Sequence, residues 1–133
     1  LGGRLSRHVA DSGAPVGLLL DHGADALIGA FGTLAAGGIV MPIDADDAPG
    51  RVRALLTHAG AAVVVVRAAR LRDLGEAVPP GVSIVTLEEA LSARAVPQDD
   101  RARPRGDAPA WLYQTSGSTG QPKLVAVSHR TLT

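Results

Sequence analysis

Apolar residues recur along the chain in two rhythms, short unbroken blocks and stripes spaced three and four apart, and the alternation of the two predicts its elements. Leu5 and Val9, within residues 3–11, have the i, i+4 spacing of a short amphipathic helix that Gly13 and Pro15 stop. The run from Pro15 to Leu20, bounded by Asp21, reads as a strand buried on both faces. Leu27, Ile28, Phe31, Leu34 and Ala35 then form one helical stripe between Asp25 and Gly37. Gly29 and Gly32 interrupt that helix at a cost of about 1 kcal/mol each against alanine, so either the helix packs close to a neighbour or the glycines are tolerated. Ile39–Ile43 is a second strand, and Pro42 predicts that it ends or lies at an edge there.

Asp44, Asp46 and Asp47 lead into Pro49 and a stripe of Val52, Leu55, Leu56 and Ala59. Carboxylates suit a helix start, where backbone N–H groups lack partners. Three aspartates in four residues could also hold a divalent cation, but the ligand spacing of a calcium loop is missing, and capping is preferred. Val63–Val66 is the clearest strand. A charged helical stretch from Arg67 to Ala77, a Pro79-Pro80-Gly81 turn and a strand from Ser83 to Leu87 follow, with Glu88 and Glu89 in the first turn of a short helix. Residues 93–109, with three prolines, many charges and no period, read as a surface loop or linker. Strands alternating with helices predict an α/β domain: a mainly parallel sheet flanked by helices, joined by right-handed crossovers.

Composition narrows the function. With 133 residues and 46% apolar content the chain is one ordinary domain that can bury a core. Thirteen basic side chains balance thirteen acidic ones, which argues against a nucleic-acid or anionic-membrane partner. The lack of cysteine removes disulfides, thiolate catalysis and thiolate zinc sites. The apolar runs fall far short of the roughly 20 residues that span a bilayer, so the chain reads as soluble and cytoplasmic. His8, His22, His58 and His129 show no metal-ligand spacing. The chain opens on Leu1 and closes just after a strand hands over to a new helix at Ser128-His129-Arg130, and so reads as a piece of a longer protein.

One segment carries chemistry. Between the strand-like runs 110–114 and 124–127 stand Thr115, Ser116, Gly117, Ser118, Thr119, Gly120, Gln121, Pro122 and Lys123. Four hydroxyls, two glycines that let the backbone turn with positive φ, and the only lysine of a chain with twelve arginines coincide there. Consecutive backbone N–H groups in such a turn make an anion-binding concavity, and a lysine adds a mobile point charge for phosphate. The Walker pattern does not fit, because Pro122 separates the second glycine from Lys123 and Leu124 replaces the magnesium-binding hydroxyl. What remains is a loop between two strands that crosses phosphates as a lid. The bland alternative is a hairpin connection with no ligand. Ser116 is no hydrolase nucleophile, since it lacks the G-x-S-x-G turn.

The string YQTSGSTGQPK, followed by LVAVSHRTL, resembles the signature phosphate-binding loop of adenylate-forming ligases: acyl-CoA synthetases, aryl-acid ligases and the adenylation domains of nonribosomal peptide synthetases. Upstream, GAFGTLAAGGIVMPIDADDAPGRVRALLTHAGAAVVVV is similar to that family's helix, Ala-Gly turn, "VPID"-like strand, helix and valine-rich strand. The family most often has glycine where this chain has Leu124, which bears on the subfamily rather than the loop. The resemblance implies that residues 1–133 are a partial N-terminal, AMP-binding domain of an ATP-dependent carboxylate-activating ligase, with a carboxylic or amino acid as second substrate and coenzyme A or a carrier-protein thiol as acceptor. It implies that Thr115, Ser116, Ser118, Thr119 and Lys123 contact the β- and γ-phosphates of ATP, with Gly117 and Gly120 supplying backbone donors and flexibility. No proton-transfer catalyst is among them. Magnesium ligands, adenine and ribose contacts and the acyl pocket are expected outside this chain. The alternatives are a non-catalytic nucleotide- or phosphate-binding module and an inactive structural fragment.

Overall fold

Val63–Val66 are all fully buried, and the two-residue period of a strand sends Val63 and Val65 to one core and Val64 and Val66 to the other. They form β3 in a computed structural model that describes residues 2–9, 13–93, 105–116 and 120–132. The other strands are β1 (Pro15–Leu19), β2 (Ile39–Ile43), β4 (Ser83–Thr86), β5 (Pro109–Thr115) and β6 (Lys123–Ser128), in the sheet order β4-β3-β1-β2-β5-β6. Neighbours from β4 to β5 run parallel, and β6 returns antiparallel to β5. The predicted α/β architecture with a mainly parallel sheet therefore holds. Of the predicted linker at 93–109, residues 94–104 lie outside the described residues.

Helices cover both faces. One core joins α1 (Gly2–Val9), α2 (Ala24–Ala35) and α4 (Leu87–Ser92) to the sheet through Leu5, Val9, Ala30, Leu87 and Ala90. The opposite core seats Val52, Leu55 and Leu56 of α3 (Pro49–Ala59) on Met41, Ile43, Val64 and Val66. Burying each such side chain contributes about 1.5–3 kcal/mol. Gly17 lets α3 approach: a Cβ there would lie 2.7 Å from Leu56 Cδ2 and 3.3 Å from Ile43 Cδ1. The last helix, α5 (His129–Leu132), follows β6 directly, as expected.

Several expectations change. Of the bulky stripe on α2 only Leu34 packs against the core: Leu27 is 60% and Phe31 70% exposed, whereas Gly29, Ala30, Gly32 and Thr33 are buried. Small residues won that face because the contact is too close for large ones; a Cβ at Gly29 would stand 2.9 Å from Leu20 Cδ1. Thr33 satisfies its own hydroxyl there by donating to the Gly29 carbonyl at 2.8 Å. The three aspartates do not cap α3, whose N-cap is Ala48 with Pro49 at the first turn. Asp44 instead accepts from the Asp46 N–H at 2.9 Å, and Asp47 pairs with Arg51 at 3.2 Å. The charged stretch after β3 forms two 3-10 segments, Ala68–Asp73 and Gly75–Ala77, broken where Gly75 takes a φ of 45°. β2 ends one residue after Pro42, as expected, but it lies between β1 and β5 rather than at a sheet edge.

A candidate phosphate-binding hairpin

β5 and β6 pair through the rungs Leu112↔Ala126, Tyr113↔Val125, Gln114↔Leu124 and Thr115↔Lys123. The chemistry-bearing segment is thus the tip of an antiparallel hairpin, with Thr115 and Lys123 facing each other across its mouth. Thr115 and Ser116 are exposed, and the Thr115 hydroxyl reaches the Lys123 carbonyl at 3.5 Å, the outer limit of a hydrogen bond. Gly120 has a φ of 76°, a left-handed turn that a side chain would strain. Gly117, Ser118 and Thr119 lie outside the described residues. Lys123 is exposed, and among the described residues no carboxylate pairs with its ammonium. A cation left open beside hydroxyls at a strand end can take up an anion.

Just below the mouth, Gln114 donates from Nε2 to the Pro42 carbonyl at 2.8 Å, and its Oε1 accepts from Arg51 Nη2 at 3.3 Å. Trp111 and Tyr113, alternate residues of β5, stack with centroids 5.8 Å apart. Beside them a groove of about 450 Å³ opens between β5 and α2, lined by Leu20, Ala26, Leu27, Ala30, Trp111 and Tyr113. The Trp111 indole N–H is buried with no partner among the described residues.

Along the same carboxyl edge of the sheet, between β1 and β3, the chain leaves β1 toward β2 on one side and leaves β3 toward β4 on the other. Open α/β sheets commonly bind ligands at such a divergence. Here side chains close it. Arg67 pairs with Asp25 at 2.6 Å and with Glu88 at 3.1 Å. Arg70 reaches Asp21 at 3.1 Å, Asp46 at 3.7 Å and the Ala45 carbonyl at 2.9 Å. The sequence reading missed this network, and the only signal was charge immediately after a strand. Thr86 and Glu89 close α4 with a reciprocal capping box.

The Ala68 N–H donating to Glu88, followed by hydrogen bonds from the Glu88 N–H and Arg67, holds the Glu88 carboxyl below the usual glutamate range. Arg67 is raised in turn, first by Glu88 and then by Asp25. A depressed carboxylate stabilises the fold above its unfolded pKa, and that contribution is lost as pH falls through the folded one. Glu88→Gln is therefore expected to lower the melting temperature at neutral pH, with the gap to wild type closing in acid. A pH series of thermal melts checks this, and a gap that widens in acid contradicts it. Among the described residues no three His, Asp or Glu side chains gather as a metal group, so the cation reading of Asp44, Asp46 and Asp47 gains no support. Likewise no described helix is long and apolar enough to cross a membrane.

A family model described as AMP-binding enzyme matches residues 1–133. Nonribosomal peptide synthetase 7 of Gibberella zeae is 34% identical over 137 residues, taking in 97% of this chain and 3% of that protein. Indigoidine synthase of Streptomyces lavendulae is 32% identical over 122 residues, which are 88% of this chain and 9% of that protein. Among solved structures, the nonribosomal peptide synthetase FmoA3 in its α-methyl-L-serine-AMP bound form superposes with a TM-score of 0.80 at 30% identity, over 97% of this chain and 14% of that one. The chain thus spans a small part of the length of each.

Proposed function

The chain belongs to the AMP-binding enzyme family, and from that premise we propose that it supplies the polyphosphate grip of an ATP-dependent carboxylate-activating ligase. The observation that carries this reading is the hairpin mouth, where an exposed Lys123, with no carboxylate partner among the described residues, stands opposite Thr115 at the end of a Ser/Thr/Gly segment. In this reading Thr115, Ser116, Ser118, Thr119 and Lys123 hold the β- and γ-phosphates, and Gly117 and Gly120 let the backbone N–H groups turn toward them. FmoA3 has been solved with an aminoacyl adenylate and with AMPPNP, which favours a nucleotide ligand for the matching segment here.

The ligase as a whole would join a carboxylate oxygen to the α-phosphorus of ATP, breaking the bond to the departing pyrophosphate, and then pass the acyl group to the thiol of coenzyme A or a carrier protein. This chain's share is electrostatic. Lys123 neutralises charge that accumulates on the leaving pyrophosphate, and the hydroxyls hold its oxygens in place without giving or taking a proton. Magnesium chemistry belongs with the triphosphate. The described residues offer no metal cage.

With its grip confined to phosphate, the isolated chain is expected to bind ATP and inorganic tripolyphosphate with similar affinity and in competition, and AMP far more weakly. Isothermal titration checks this. Binding of AMP as tight as that of ATP, or absence of any tripolyphosphate binding, overturns the reading in favour of a different module or an inert structural piece.

A further inference from the structure

Where β2 and β5 run side by side, the ladder between them is thin: the register pair is Val40↔Trp111. Two residues further along β2 stands Pro42, which has no N–H to offer a neighbouring strand. Its carbonyl would face the gap, and the Gln114 side chain fills it by donating Nε2 at 2.8 Å. A side-chain amide thus replaces a backbone rung at the last residue before the Ser/Thr/Gly loop departs.

The other end of the amide is also engaged. Arg51, on the first turn of α3, donates to Gln114 Oε1 at 3.3 Å and is itself tied to Asp47 at 3.2 Å. Only one amide orientation satisfies both neighbours, because a flip would set Nε2 against the guanidinium and Oε1 against the Pro42 carbonyl. The chain Asp47, Arg51, Gln114, Pro42 therefore links the start of α3, the end of β2 and the stem of the hairpin.

We propose that Gln114, oriented by Arg51, is the positioning residue of the hairpin mouth: it fixes how Thr115 and Lys123 stand at the end of the sheet and thereby sets polyphosphate affinity without touching the polyphosphate. The proposal rests on the phosphate-binding reading above. Its physical content is preorganisation. Thr115 and Lys123 occupy the rung next to Gln114↔Leu124, so a stem pinned at Gln114 presents both without an ordering cost at the moment of binding.

The test is a double-mutant cycle on tripolyphosphate affinity, measured by titration well below the melting temperature, with Gln114→Met and Arg51→Met. Methionine keeps the length of both stems and removes the polar ends. Each single variant is expected to weaken binding about three- to tenfold, and the double variant no more than Gln114→Met alone, because Arg51 acts through Gln114. Gln114→Glu, which still accepts from Arg51 but cannot donate to Pro42, is expected not to restore affinity. A side chain that merely held the sheet together would move melting temperature but not this coupling. Should Gln114→Met fail to fold, Arg51→Met, at an exposed position, carries the test by itself. Wild-type affinity in Gln114→Met or in Arg51→Met, while Lys123→Ala binds weakly, overturns the positioning role and leaves the phosphate reading standing. Wild-type affinity in Lys123→Ala overturns both.

Discussion

Lys123→Ala is expected to weaken tripolyphosphate binding by about ten- to a hundredfold, the loss that follows from removing charge-assisted hydrogen bonds of roughly 1.5–3 kcal/mol. The ammonium is exposed, so its removal leaves no buried partner stranded and the fold is expected to melt within a degree or two of wild type. Lys123→Arg should recover part of the affinity, because charge returns but a planar fork replaces a compact point charge. The same residue permits a direct footprint: as the only lysine, it and the terminal amine are the sole amine targets in the chain. Tripolyphosphate should protect Lys123 from acetylation while the terminal amine reacts unchanged. Equal affinity in Lys123→Ala, or acetylation of Lys123 indifferent to tripolyphosphate, removes the residue from the site.

The largest stability effect is expected at Leu56→Ala, about 2–5 kcal/mol, since the side chain is fully buried between α3 and the sheet and its loss leaves a cavity. Gly17→Ala should cost about 1–3 kcal/mol by the opposite route, pressing a methyl to 2.7 Å from Leu56 Cδ2. Together the two are expected to cost less than their sum, because the new methyl enters space that the truncated leucine gives up. Urea melts of the four chains read this coupling. Strict additivity would mean that Gly17 does not set the approach of α3.

The strand blocks were legible because parallel strands buried on both faces read as unbroken apolar runs, and Val63–Val66 is the extreme case. The orientation of α2 was not. Periodicity reports where large side chains cluster, and it takes for granted that the cluster faces inward; at α2 the contact with Leu18 and Leu20 is too close for anything larger than Gly29 and Ala30. The sheet edge expected at Pro42 failed for a related reason. A proline forbids one backbone hydrogen bond, and sequence cannot show that Gln114, 72 residues away, ties the strand to its neighbour by donating a side-chain N–H to the Pro42 carbonyl. The hairpin loop was readable as a concentration of hydroxyls, glycines and the single lysine between two strands. Its supports were not, since Arg51 and Gln114 have no periodicity or motif that distinguishes them from surface residues. Asp44, Asp46 and Asp47 had a plausible local role in capping, but the turn they form and the pull of Arg51 and Arg70 took them elsewhere.

The clamp formed by Arg67 and Arg70 has a consequence for how this sheet tolerates change. With the crevice beyond β1 and β3 closed by four acidic side chains, the charge clamp and the hairpin mouth share the carboxyl edge of the sheet but stand on different strands. Substitutions at the hairpin mouth can retune its chemistry while the valine-lined interior stays as it is, so drift in one need not endanger the other.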